Sequence, residues 1–231
     1  MDNRYYFDEI NNDIVTLTGG EAQHLSKVRR AKIGDSIVGF NGDGYDYFLT
    51  ITEITKDEVK AKLNSKELNR ASKDDEITVY LAMTKNEALT TAVDHLAEMN
   101  VKHVKLFKSD FSVAVVDEHK LNKLNNVALQ ASKQCERADI MQISIIDKKE
   151  IEKDIKAFKN RFFAYENSSN LVPSFSGGFA VIIGPEGGFS SAEAEYFSRI
   201  ATNISLGNTI LRTEVACVAS IATLKVVKYA R

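Results

Sequence analysis

Proline, cysteine and long apolar runs are all scarce in this chain of 231 residues, and each scarcity excludes something. Its two cysteines, Cys135 and Cys217, lie far apart with no CxxC spacing, so neither a disulfide framework nor a zinc site is expected. Both sit in apolar helical contexts and read as buried thiols of a reducing, cytoplasmic setting. The longest apolar run, "VACVASIATL" at 215–224, is about half of the roughly 20 residues that a membrane span requires. It reads as a core helix, and no membrane partner is expected. The start "MDNRYYFDEI" has no basic segment leading into an apolar one, so no secretory leader is expected. Charge of one sign is lacking too: 30 Lys and Arg stand against 32 Asp and Glu, for a net charge of -2. A nucleic-acid surface must then be a local patch. The four histidines (His24, His95, His103 and His119) are scattered, and no metal site is expected.

What is present divides into two parts. Hydrophobic residues make up 44% and charged ones 27%, ordinary for a globular protein with a real core. Residues 1–70 read as short strands broken by Asn11-Asn12-Asp13, Gly19-Gly20, Gly34-Asp35 and Asn41-Gly42-Asp43-Gly44, which predicts a small β-rich module, barrel or sandwich. One helical interruption, "EAQHLSKVRRA", carries Lys27, Arg29 and Arg30, with Lys32 just beyond and no acid between them. The polar stretch "NSKELNRASKDDE" at 64–76 reads as the boundary. Beyond it short apolar strands alternate with helices, from "ITVYLAM" and "NEALTTAVDHLAEMN" to "RFFAY" and "FAVIIG". That alternation predicts an α/β domain over 74–231 with a mostly parallel sheet covered on both faces.

One of the two prolines stands in an unusual place. In "VIIGPEGGFSSAE" the strand ends at Gly184, and Ser190 with Glu193 supplies the S-x-x-E box that opens a helix. Between them Gly184, Gly187 and Gly188 allow a ligand to approach bare backbone, while Pro185 stiffens one turn. A tight strand–helix turn alone needs only one or two of these glycines. The site lies at the carboxyl end of a strand, where open α/β sheets bind ligands. No Gly-Lys-Ser/Thr, G-x-G-x-x-G or nucleophile-elbow serine is present. "NISLGNTILRTEVACVASIATL" repeats the device: a short strand passes through Leu206-Gly207-Asn208 into a helix with Thr213 as cap and Glu214 in its first turn. A guanidinium at that helix start opposes the local dipole, so Arg212 reads as an anion or substrate clamp.

"IGPEGGFSSAE" followed by "LGNTILRTEVA" resembles the paired C-terminal motifs of the RsmE-type 16S ribosomal RNA methyltransferases, members of the SPOUT class. "HLSKVRRAKIGD" resembles their N-terminal His-Leu element, keeping His24, Arg30 and Gly34, with Arg29 in place of a leucine. "HLAEMNV" keeps Glu98 and Val101 of another stretch, and "QASKQCERADI" keeps Gln134 and Arg137. The chain departs from the family at Phe111, where an arginine is usual, near His95, where a lysine is usual, and in lacking a proline after Arg137.

The resemblance implies a small PUA-like β-barrel that grips RNA, a SPOUT domain with a deep trefoil knot, a homodimer, and methylation at N3 of a uridine in 16S rRNA of the small subunit. Another RNA target, or a non-catalytic ribosome-binding module, is the alternative. S-adenosyl-L-methionine is the cofactor it implies, held by Tyr165, Ile183, Gly184, Pro185, Glu186, Gly187, Gly188, Leu206, Gly207, Ile210, Leu211 and Arg212. A third loop near Tyr165 and Glu166 completes that site. Arg212 stabilises the uracil anion, and Glu186 or Glu214 accepts the proton or organises the arginine. Arg4, His24, Lys27, Arg29, Arg30, Lys32 and Arg137 are the expected RNA contacts.

Overall fold

The computed structural model describes residues 4–230. The chain divides into two compact units, Met1–Asp74 with Ser132–Ile140, and Asp75–Ala131 with Met141–Arg231.

In the first unit six strands form one curled sheet in the order β1-β4-β5-β6-β3-β2. They are β1 (Arg4–Tyr6), β2 (Ile10–Asn11), β3 (Ile14–Thr18), β4 (Ser36–Phe40), β5 (Tyr45–Ile54) and β6 (Glu58–Leu68). All pairs are antiparallel except β1 with β4. Successive residues of a strand face opposite ways. Along β5, Tyr47, Leu49 and Ile51 are accordingly buried while Phe48 is exposed. The expected helical interruption is the short helix α1 (Gly19–Gln23) running into a π-turn at His24–Val28. The units divide after Asp74, within the stretch 64–76 read as the boundary, but β6 runs into that stretch as far as Leu68. Its polar residues are held there by register, with Tyr47 facing Lys66 and Tyr45 facing Leu68 on β5. Ser132–Ile140 folds against this sheet: the Gly44 N–H donates to the Ala138 carbonyl at 3.2 Å, and Asn69 Nδ2 to the Glu136 carbonyl at 3.0 Å.

The second unit is built on a six-stranded, wholly parallel sheet in the order β12-β10-β11-β7-β8-β9. In chain order its elements are β7 (Ile77–Ala82), α2 (Asn86–Glu98), β8 (His103–Phe107), α3 (Glu118–Gln134), β9 (Gln142–Ile145), α4 (Ile151–Ile155), β10 (Asn160–Ala164), β11 (Phe179–Ile183), α5 (Ser191–Ile200), β12 (Thr202–Ile204) and α6 (Thr213–Tyr229). Every residue of β7 and β11 is buried, as central parallel strands require. Val79 and Leu81 join a core with α2, α3 and α6, while Tyr80 and Ala82 join a second core with α4 and α5. The sheet is therefore covered on both faces. Leu89, Ala92, Val93, Leu96 and Ala97 of α2 are buried at helical spacing. Cys217 of α6 is buried as expected, and burial raises its thiol pKa. Cys135, also expected inside, is only half-buried just past the end of α3. Among the described residues no helix is long and apolar enough to cross a membrane.

This strand order positions the site. β10 lies between β11 and β12, so the loops that follow these three neighbouring strands leave the same edge of the sheet.

Candidate functional site

One cavity takes its walls from those three loops. Ala164, Tyr165 and Glu166 come from the loop after β10, 183–189 from the loop after β11, and Leu206, Gly207, Thr209, Ile210 and Leu211 from the loop after β12. Thr213 and Ala216 of α6 close it. Of the residues expected around a cofactor, Tyr165, Ile183, Gly184, Pro185, Glu186, Gly187, Gly188, Leu206, Gly207, Ile210 and Leu211 line this single cavity. Arg212 does not line it. It is exposed and occupies the N-cap position of α6.

Two glycines show why the middle wall is bare peptide. Gly188 has φ of +69°, and a Cβ there would stand 2.7 Å from Glu166 Oε1. A Cβ on Gly184 would stand 2.7 Å from the Phe189 ring. The opposite wall is aliphatic, and Ile210 is 88% exposed on it, an apolar surface without cover. Backbone polar groups facing aliphatic side chains in a cleft suit a ligand with a flat heteroaromatic ring and hydrogen-bonding edges.

Thr213, expected as the cap of α6, is instead its first residue. The backbone of Arg212 is extended and no side chain caps the helix. The Thr213 hydroxyl donates to the Gly184 carbonyl at 3.3 Å, which ties the α6 start to the loop after β11. Glu214 follows, half-buried, with Oε2 buried and lacking a hydrogen-bond partner. Glu186 is exposed. Burial acts to raise its pKa, but the Thr84 hydroxyl, the backbone amides of Glu186 and Lys85, and the Lys85 ammonium outweigh that and hold it below the usual carboxylate range.

Beneath the cavity loop lies a buried charge that sequence reasoning credited only with capping. The capping box at Ser190 is present, and Glu193 is 3% exposed. Its Oε1 accepts from the Asp110 N–H at 2.9 Å and from Lys148 Nζ at 2.8 Å. Its Oε2 accepts from Ser109 Oγ at 3.0 Å and from the Ser190 N–H at 3.2 Å. Lys148 Nζ also donates to Asp110 Oδ1 at 2.6 Å, and Ser190 Oγ to Asp110 Oδ2 at 2.5 Å. Lys148 and Ser190 hold the Asp110 carboxyl below its usual range. Burial pulls the Lys148 ammonium down, yet Asp110 and Glu193 keep it above the usual lysine range. Both oxygens of Glu193 are satisfied, so the charge is stable inside and fastens three segments to one point.

The expected RNA contacts part company. His24, Lys27, Arg29, Arg30 and Lys32 are exposed in the first unit. Arg137 is only 1% exposed and its Nε donates to Asp139 at 3.1 Å, so it braces the interior of Ser132–Ile140. Arg4 pairs with Asp46 and lies over the Phe40 ring.

Comparison with known proteins agrees with this architecture. Residues 71–225 match the family described as RNA methyltransferase domain, and residues 17–64 the RNA methyltransferase PUA domain. The chain is 26% identical over 238 residues to ribosomal RNA small subunit methyltransferase E of Buchnera aphidicola, covering 96% of this chain and 93% of that one. It is 28% identical to the protein of that name from Helicobacter pylori, covering 90% and 94%. Among solved structures, ribosomal RNA small subunit methyltransferase E from Neisseria gonorrhoeae, bound to S-adenosyl methionine, superposes with a TM-score of 0.83 at 20% identity, over 97% of each chain. A probable rRNA-methyltransferase from Porphyromonas gingivalis gives 0.87 at 24%, over 98% of each. At such identities the structural likeness establishes the fold.

Proposed function

Since the chain belongs to the RNA methyltransferase domain family, we propose that it transfers a methyl group from S-adenosyl-L-methionine to N3 of a uridine in the RNA of the small ribosomal subunit. The convergence of three loops from neighbouring parallel strands on one cavity carries this reading. The names of the curated relatives support the substrate class, and the ligand in the Neisseria structure supports the cofactor.

The residues present fit that cofactor. Backbone groups of Ile183, Gly184, Gly188, Leu206, Gly207 and Ile210 would bracket the adenosine, and Leu206, Ile210 and Leu211 would cover its base. When bound, the cofactor supplies an electrophilic methyl group on a sulfonium. A uracil N3 is a poor nucleophile until it loses its proton, and negative charge then spreads to O2 and O4. Arg212, a permanent cation at the start of α6, stabilises that charge as it develops. Glu214 is the proton acceptor we favour, because one of its oxygens is buried without a donor. The lowered pKa of Glu186 makes it a weaker base, better suited to orienting a nearby cation.

Under this reading residues 1–70 form the RNA-gripping domain and 74–231 the catalytic one. His24, Lys27, Arg29, Arg30 and Lys32 fix register on the phosphates. The enzyme acts in the cytoplasm as a homodimer that covers the exposed Val215, Val226 and Tyr229 of α6. The reading includes a knotted chain, supported by the Ser205 N–H donating to the Asn170 carbonyl of the loop after β10 at 2.8 Å and by the packing of α6 on α2 and β11.

Calorimetry with S-adenosylhomocysteine tests the core of this reading, with one bound ligand per chain expected. No heat of binding would sink it. Mass spectrometry of small-subunit RNA from cells lacking the protein then reads the target, and an unchanged set of methyluridines overturns the choice of substrate.

A further inference from the structure

The geometry points to Phe111 as a stacking platform for a nucleobase of the RNA substrate, held beside the cavity by the Glu193 network. This inference rests on the RNA methyltransferase reading. Phe111 is 49% exposed. The interior phenylalanines of this unit find ring partners, as Phe163 and Phe189 do at 5.1 Å and Phe189 and Phe197 at 5.2 Å. No ring among the described residues packs on Phe111. Its Cβ lies 3.3 Å from where a Cβ on Gly187 would stand, and Gly187 lines the cavity. The ring therefore sits against the loop that forms the middle wall of the cavity.

The backbone that presents the ring is fixed. Ser109 and Asp110, immediately before it, are bound to the buried Glu193 carboxylate. Ser112, immediately after it, closes the turn with its N–H on the Ser109 carbonyl and its hydroxyl accepting from the Ser109 N–H, both at 3.0 Å. A rigid exposed ring costs little entropy to use as a contact. Cations stand nearby in the chain's layout. Lys85 and Lys108, both exposed, follow the paired strands β7 and β8, whose ends Ala82 and Phe107 are in register. An exposed aromatic ring and lysines that follow the neighbouring strand ends match a base and the phosphates that flank it, the combination by which proteins hold single-stranded nucleic acid. A base taken out of its helix to meet a methyl donor needs such a surface to rest on.

The test compares binding of a fluorescein-labelled oligouridine with that of an abasic ribose-phosphate oligomer of equal length, by anisotropy. The wild type should prefer the oligomer that carries bases. Phe111→Ala should weaken oligouridine binding about tenfold, within the range for loss of one stacked base, and leave the abasic oligomer unaffected. Phe111→Tyr should restore the preference and Phe111→Leu should not, because an aliphatic side chain packs without stacking. Oligouridine affinity unchanged in Phe111→Ala, or full rescue by Phe111→Leu, overturns the inference; the second outcome points to a protein partner. Equal binding of both oligomers by the wild type also overturns it. S-adenosylhomocysteine binding should be unaltered in all three variants. A loss there as large as the loss of RNA affinity would reassign the ring to shaping the cavity. Wild-type protein that binds S-adenosylhomocysteine but fails these tests refutes the platform alone, whereas wild-type protein that binds none refutes the methyltransferase reading.

Discussion

Gly39 of the first unit and Gly188 of the second both sit where a side chain would meet close neighbours, for different reasons. Gly39 lies in β4, where a Cβ would stand 2.8 Å from Leu49 Cδ1 and 2.9 Å from Phe7 Cε1, so its missing side chain admits other side chains. Gly188 has positive φ and lines a cavity, so its missing side chain leaves room for something that is not protein. Charge divides the same way. The first unit neutralises Arg4 with Asp46 and Arg137 with Asp139, and leaves 27–32 outside. The second buries Glu193 under the cavity loop with four donors upon it. The buried cation of the first unit, Arg137, is tied to an acid two residues away in its own segment. A site that must hold its shape against a ligand needs polar ties inside.

Substitution at the two glycines is the sharpest way to break this comparison. Gly188→Val should abolish S-adenosylhomocysteine binding, whereas Gly39→Val should lower stability by about 1–3 kcal/mol through overpacking and leave ligand affinity intact. Calorimetry and urea unfolding on both variants decide it, and equal ligand loss in the two erases the distinction. Next in size, Arg212→Ala should cut methyl transfer roughly 10²- to 10³-fold with cofactor affinity preserved; parallel loss of both in single-turnover and binding assays refutes its separate role. Glu193→Ala takes the shared acceptor from Lys148 and three other donors, leaving Lys148 only Asp110, and should cost roughly 3 kcal/mol, read as a fall in urea midpoint, with no such fall for Glu53→Ala on the surface of the first unit. The smallest effect belongs to the exposed cations. Arg29→Glu with Arg30→Glu should weaken RNA binding and flatten the salt dependence by about 0.7 in log–log slope for each phosphate that is no longer neutralised. An unchanged slope makes 27–32 plain solvated surface.

Much of the second unit is readable along the chain. Strands such as "FAVIIG" are apolar throughout because both faces are covered, and Ser190 with Glu193 announces the start of α5 by local spacing alone. What stays hidden depends on residues distant in sequence. Ser109, Asp110 and Lys148 lie tens of positions from Glu193, and nothing local distinguishes its carboxylate from an ordinary helix-start acid. Arg137 looks like a surface cation until Ser132–Ile140 folds onto the β-sheet and Asp139 meets it inside. The charged run at 64–68 looks like a linker because β6 is exposed on both sides there, and only pairing with β5 makes it a strand. Thr213 has the composition of a cap, yet its hydroxyl answers a carbonyl 29 positions earlier.

The third wall of the cavity begins at Leu206, and α6, whose Thr213 and Ala216 close the cavity, follows it. Synthesis runs from the amino end, so the ribosome delivers this wall and the start of α6 after the other two loops. A nascent chain, or one cut short by an early stop codon, has its sheet and two of its loops but no closed binding site. The cavity can close only once the chain has been made as far as the start of α6.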